Sequence, residues 1–180
     1  MYQAINYDAN YSENSKFGGL TIDQYLVQEA HKRGMEVIGQ TTLADFGGLG
    51  DSTLTNYPYA HYSYHMEHPE WSPVDEWGVM KQGGAVEFSY EEARKYIIDL
   101  TMEEVKKVGY DGVMFYSHTE NFDMKYEDQF GYNEPAVEEF VSRYGITPEQ
   151  DNLHYRVSLE HWRMLRGEYL TSFLREMKQA

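Results

Sequence analysis

The sequence predicts an α/β fold built on a parallel β-sheet. A helix followed by a glycine and a short apolar strand occurs twice, in "HKRGMEVIG" and again in "VKKVGYDGVMF". Both strands are apolar throughout, which is typical of parallel strands buried on both faces. Helices that alternate with such strands favour right-handed crossover connections within one sheet.

The first repeat begins at a capping box, Thr21–Gln24, in which the threonine caps a backbone N–H and the glutamine reaches back. We therefore predict a helix from about residue 22 to residue 33, ended by Gly34 in a left-handed conformation. Residues 35–41, "MEVIGQT", follow as a short strand. The N-terminal stretch "YQAINY" has the composition of a remnant strand.

The second repeat also starts with a capping-box pattern, "SYEE", at Ser89–Glu92. The helix after it carries an apolar arc at helical spacing, formed by Ala93, Ile97, Leu100, Thr101, Val105 and Val108. Gly109 should end this helix, and Gly112–Tyr116 should be the next strand.

The C-terminal third of the chain is predicted to be helical. Asn133 can cap a helix that ends near Tyr144, with Gly145 as its stop. "TPEQ" at Thr147 starts another turn. A long helix from about residue 158 to residue 178 carries a one-sided stripe that predicts core packing, made of Leu159, Trp162, Leu165, Tyr169, Phe173 and Met177.

Two long segments, residues 42–88 and 117–133, interrupt the alternation. Each follows a predicted strand, and loops after the carboxyl ends of parallel strands build the active sites of such folds. Loops of this length are usually functional or disordered. Their aromatic content argues against disorder.

Composition narrows the class of ligand. The net charge of −15 disfavours nucleic acid and anionic membrane surfaces. The seventeen tyrosines are compatible with a neutral polar ligand such as a sugar, and equally with ordinary half-buried surface. Without cysteine the chain has no disulfide or thiolate site. Phosphate-binding and dinucleotide-binding glycine patterns are missing, so we expect no nucleotide cofactor. The N-terminus lacks the pattern of a signal peptide, and the localisation stays open.

The order of several stretches resembles the family-10-like glycosyl hydrolases of bacteria. These stretches are "AHKRGMEVIG", "HPEW", "ARKYIIDLTMEEVKKVGYDGVMF" and the tail "FGYNEPAVEEFVSRYGI…HWRMLRGEYLTSFLREM", and they cover roughly residues 25–178. Family members are (β/α)8 TIM-barrel proteins linked to carbohydrate processing. A closed barrel usually needs about 250 residues. The chain of 180 residues is therefore either a smaller open sheet or, as the resemblance implies, a single incomplete (β/α)-barrel domain at residues 1–180. The chain departs from the family at Tyr116 and Ser117, where members commonly carry an acidic residue.

Glycoside hydrolysis generally uses two carboxylates, an acid with a raised pKa and a base or nucleophile. Glu120 is the nearest carboxylate after the second strand, and Asp45 holds the matching place after the first. We predict Glu120 and Asp45 as the catalytic pair. In the alternative interpretation both are loop carboxylates that cap turns.

Further side chains are candidates for sugar contacts. His118 and Asn121 could hydrogen-bond hydroxyl groups, and Tyr116 could tune a neighbouring carboxyl or lie in the core. We also predict His65 and Trp71 at the ligand, with Trp71 or Trp77 as a stacking platform. Alternatively both tryptophans anchor the loop. Asp111, at the other end of its strand, is predicted to be a structural turn residue.

Three histidines, His61, His65 and His68, have the spacing of one helix face. Prolines bracket the run and no helix signal supports it, so we predict no metal site. We therefore expect a glycoside hydrolase-like, carbohydrate-active protein. A non-catalytic carbohydrate-binding protein is the first alternative, and a metal-dependent hydrolase is the second. A carbohydrate is the expected ligand, and the incomplete sheet predicts either self-association or pairing with the missing remainder of a barrel.

Overall fold

The computed structural model describes residues 1–4, 15–42, 67–79, 85–116, 128, 130–145 and 156–180. The chain divides into two compact units. The first, here called the sheet unit, comprises Met1–Leu43 and Tyr96–His118, and the second, the helical unit, comprises Ala44–Lys95 and Thr119–Ala180. That residues 1–180 form a single incomplete barrel domain stays a prediction.

Three parallel strands form the sheet. They are β1 (Tyr2–Ala4), β2 (Ile38–Thr42) and β3 (Gly112–Tyr116), in the spatial order β1-β2-β3. The register pairs Ile38 with Gly112 at one end of β2 and Thr42 with Tyr116 at the other. The structure confirms the predicted α/β class, because the described residues are mostly helical and contain a parallel sheet. The barrel stays a prediction.

The first helix, α1 (Ile22–His31), forms as its capping box predicts. The Gln24 N–H donates to Oγ1 of Thr21 at 3.2 Å, and the Thr21 N–H donates to Oε1 of Gln24 at 3.1 Å. Gly34 has a φ of 70°, as expected for the residue that ends the helix. The predicted strand start at residue 35 is three residues too early, because the Val37 N–H donates to the Asp111 side chain rather than to the backbone of a strand.

The second helix, α2 (Glu91–Val108), carries its predicted arc inward, with Ala93, Ile97 and Thr101 fully buried. Its predicted capping box is wrong. The helix starts at Glu91, so Ser89 lies one residue ahead of the capping position. The Ser89 N–H donates instead to the Glu87 carboxylate at 3.3 Å.

The core of the sheet unit joins α1, the end of α2 and the strands. Its buried members are Val27, Ala30, Val37 and Tyr110, and Val105, Val108 and Val113 pack against them. Burying one such aliphatic side chain contributes about 1.5–3 kcal/mol. The β3 residues Val113, Met114 and Phe115 are only half-buried, which departs from a strand covered on both faces.

The helical unit contains α3 (Glu134–Tyr144) and α4 (Arg156–Gln179). Their core consists of Ala136, Phe140, Trp162 and Leu165, with Phe140 and Trp162 in edge-to-face contact at 5.2 Å. The first and last residues predicted for these two helices agree with the observed ones within two residues. Gly145, which ends α3, has a φ of 67°. The predicted turn at Thr147 lies outside the described residues. No described helix is long and apolar enough to cross a membrane.

Candidate functional site

The carboxyl ends of β2 and β3 lie side by side, because Thr42 pairs with Tyr116 in the parallel register. Asp45 follows Thr42 by three residues in the sequence, and Glu120 follows Tyr116 by four. Both predicted catalytic carboxylates lie outside the described residues, as do His65, His118 and Asn121. The structure describes the backbone of Tyr116 as the last residue of β3.

Asp111 connects the amino ends of strands β2 and β3, at the opposite end of the sheet. Its Oδ2 accepts the Val37 N–H at 2.7 Å and lies 2.9 Å from Nε2 of His31. These two interactions, the Val37 hydrogen bond first and His31 next, lower the pKa of the Asp111 carboxyl. Asp111 thus ties the start of β2 to the start of β3 and to the end of α1. Its predicted structural role is confirmed.

Trp71 ends a short 3₁₀ turn, Pro69–Trp71, in the helical unit. Its side chain is only 6% exposed, and its ring stacks on His68 with 3.9 Å between ring centroids. This geometry supports the alternative in which Trp71 anchors its segment, and its contact with a ligand stays a prediction. Trp77 is 74% exposed and presents its ring to solvent.

The third histidine of the run, His68, places Nδ1 3.0 Å from Oε1 of Glu70. His61 and His65 lie outside the described residues. Among the residues that the structure describes, no group of three or more histidine, aspartate or glutamate side chains could hold a metal ion.

The side chain of Asn133 acts as a buried bracket rather than as a helix cap. Its Oδ1 accepts the Val74 N–H at 3.0 Å, and its Nδ2 donates to the carbonyls of Glu70 at 3.0 Å and Ser72 at 2.9 Å. One amide thereby fixes the segment that carries Trp71 to the start of α3. The sequence pattern of a helix start predicted the position of Asn133 but not these partners.

A buried carboxylate that the sequence interpretation missed lies at Glu87, which is 4% exposed. The Ser89 N–H reaches its Oε1 at 3.3 Å, while its Oε2 lies 4.0 Å from Nη2 of Arg166. Burial raises the pKa of the Glu87 carboxyl, and the charge of Arg166 opposes that shift. A signal was present, because this single acid stands inside the apolar run "AVEF", whose other members are all buried.

The guanidinium of Arg166 lies close to the backbone at Gly131. A Cβ atom on Gly131 would come within 2.5 Å of the Arg166 Cζ, so the glycine permits the guanidinium to lie against the main chain. The Gly131 N–H donates to the Val74 carbonyl at 2.9 Å, which pins this backbone in place. The Nε atom of Arg166 is buried and has no hydrogen-bond partner among the described residues.

Comparison with known proteins leaves the family open. No protein-family model and no curated protein matches the chain. Among solved structures, the chain is similar to the cycloalternan-degrading enzyme from Trueperella pyogenes, with 14% sequence identity and a TM-score of 0.38. The similarity covers 84% of this chain but 20% of that enzyme, so the chain spans about a fifth of its length. A similarity of this size establishes neither fold nor activity here.

Proposed function

We propose that the chain is a carbohydrate-active protein that hydrolyses a glycosidic bond with a pair of carboxylates, Glu120 and Asp45. The observation that supports the proposal is the pairing of Thr42 with Tyr116 at the carboxyl end of the sheet. Loops that leave this end of parallel strands form the active sites of (β/α) folds.

The reach of the chain is compatible with one shared site. Neighbouring strands are about 4.8 Å apart. Asp45 follows Thr42 by three residues and Glu120 follows Tyr116 by four, and a fully extended chain spans at most about 3.6 Å per residue. These short separations are compatible with two carboxylates that act on the same glycosidic bond.

The proposed chemistry follows from the two roles that hydrolysis requires. Glu120 donates a proton to the departing glycosidic oxygen, and Asp45 activates water or attacks the anomeric carbon. His118 and Asn121 hydrogen-bond sugar hydroxyls beside Glu120, and Tyr116 lies near enough in sequence to adjust the pKa of that acid.

The test compares the parent with Glu120→Gln and Asp45→Asn on a panel of aryl glycosides and neutral oligosaccharides. Each variant should lose about 10²–10⁴-fold in turnover, the usual contribution of a general acid or base, and keep its affinity for substrate. Glu103→Gln, at an exposed position of α2, serves as the matched control and should hydrolyse as the parent does. Parental turnover in both site variants would refute the proposal.

A second candidate is a non-catalytic carbohydrate-binding protein. One observation favours it: the last residue of β3 is Tyr116, where members of the family that the chain resembles commonly have an acidic residue. The exposed ring of Trp77 is then the candidate stacking platform. Affinity for an oligosaccharide with no turnover in the parent or in Glu120→Gln would establish this candidate over the first.

A further inference from the structure

Arg166 differs from the other paired arginines of the described residues. Arg33, Arg94, Arg143 and Arg163 each donate to a carboxylate at hydrogen-bond distance. Arg166 instead stops 4.0 Å from its carboxylate, beyond the range of about 2.7–3.2 Å for such a bond. A buried ion pair normally persists only when further hydrogen bonds satisfy it.

Another buried donor on the same helix also lacks an acceptor. Trp162, one turn before Arg166 on α4, is fully buried, and its Nε1 has no partner among the described residues. Burial also raises the pKa of Tyr132, beside Gly131, to about 12, which indicates a poorly solvated surrounding. Unsatisfied polar groups in such a surrounding are costly and often have a functional reason.

We infer that Glu87 and Arg166 form a binding centre in the helical unit for a neutral, hydroxyl-rich ligand, with a ligand hydroxyl bridging the carboxylate and the guanidinium. A hydroxyl oxygen placed about 2.8 Å from both Oε2 and Nη2 fits their 4.0 Å separation. The hydroxyl would donate to the Glu87 carboxylate and accept from Nη2 of Arg166.

The charges of the centre select a neutral ligand. The opposite charges of Glu87 and Arg166 offset one another, and the chain as a whole carries −15, which repels anions. A cationic ligand would be repelled by the positive charge of the Arg166 guanidinium. The Arg166 side chain is 30% exposed and that of Glu87 6%, so the pair extends inward from the surface. The sugar character of the ligand rests on the proposed function, whereas the position of the centre does not.

The test is isothermal titration calorimetry with maltohexaose, cellohexaose and xylohexaose as probes. The parent should bind at least one of them, and both Glu87→Gln and Arg166→Met should weaken that binding roughly ten-fold or more, the usual loss of a charged hydrogen-bond partner. Arg163→Met is the matched control, because Arg163 lies on the same helix and pairs with Asp128 at 2.6 Å. It should bind as the parent does.

Circular dichroism checks that each variant is folded. If Arg166→Met does not fold, Glu87→Gln decides alone, since the carboxamide keeps the shape of the carboxylate. The inference is overturned if the parent binds none of the three probes or if the folded variants bind with parental affinity. Hydrolysis of the same probes by the parent and by Glu120→Gln separates the two proposals, because turnover depends on Glu120 and this binding on Glu87.

Discussion

The substitution Gly131→Ala should destabilise the protein through two separate costs. The backbone at Gly131 has a φ of 107°, a region that costs other residues about 1–3 kcal/mol. The added methyl group would also lie 2.5 Å from Cζ of Arg166, so the guanidinium must move away from its place beside Glu87. Because the guanidinium is the end of a flexible side chain, its displacement costs about 1 kcal/mol, the low end of the range for overpacking. We expect a total loss of about 2–4 kcal/mol in the free energy of unfolding.

Urea denaturation followed by tryptophan fluorescence measures this loss, because Trp162 lies in the core of the helical unit. The matched control is Gly145→Ala, at a φ of 67° with no atom within 4 Å of the new methyl group. It carries only the backbone cost of about 1–2 kcal/mol. A Gly131→Ala variant no less stable than Gly145→Ala would refute the reasoning on Arg166.

Three further perturbations test the described contacts. The pKa of Glu87 in the folded protein is raised above its usual 4.5, so the protonated carboxyl contributes stability that is fully present below pH 4.5. This contribution is lost as the pH rises through the pKa of the folded state. In urea titrations across pH 4 to 8, the free energy of unfolding should therefore decline less for Glu87→Gln than for the parent. The pKa of Asp111 is lowered, so its charged carboxylate contributes stability above pH 3.8 that is lost as the pH falls through the pKa of the folded state. Asp111→Asn should therefore lower the melting temperature at pH 7, and the difference from the parent should shrink as the pH falls below 3.8. An unchanged difference in melting temperature at low pH would contradict the role of the charge. Asn133→Ala removes the partner of three backbone groups and should cost about 2–4 kcal/mol in urea denaturation, whereas a cost under about 1 kcal/mol would show that the bracket is dispensable.

Local chemistry explains the parts of the fold that could be predicted from the sequence. The capping box at Thr21 and the left-handed glycines Gly34 and Gly145 act through neighbouring backbone, and each is found where it was expected. The strand Gly112–Tyr116 was predicted to the residue, because a glycine ends the helix before it and an apolar run defines the strand itself.

Tertiary contacts explain the parts that could not be predicted. Ser89 has the spacing of a helix cap, yet its N–H binds the Glu87 carboxylate, whose burial depends on packing by a helix far along the chain. The bracket formed by Asn133 and the approach of Arg166 to Gly131 likewise join segments distant in sequence. Sequence pattern names such residues but does not reveal which of them meet.

The most direct test of the proposed hydrolysis is the pH dependence of turnover in the parent and in Glu120→Gln. If Glu120 is the general acid, the parental rate should fall as the pH rises through the pKa of that carboxyl. The variant should turn over far more slowly and lose this alkaline limb, while its acidic limb, set by Asp45, remains. A variant that keeps the parental rate and both limbs would contradict the assignment of Glu120.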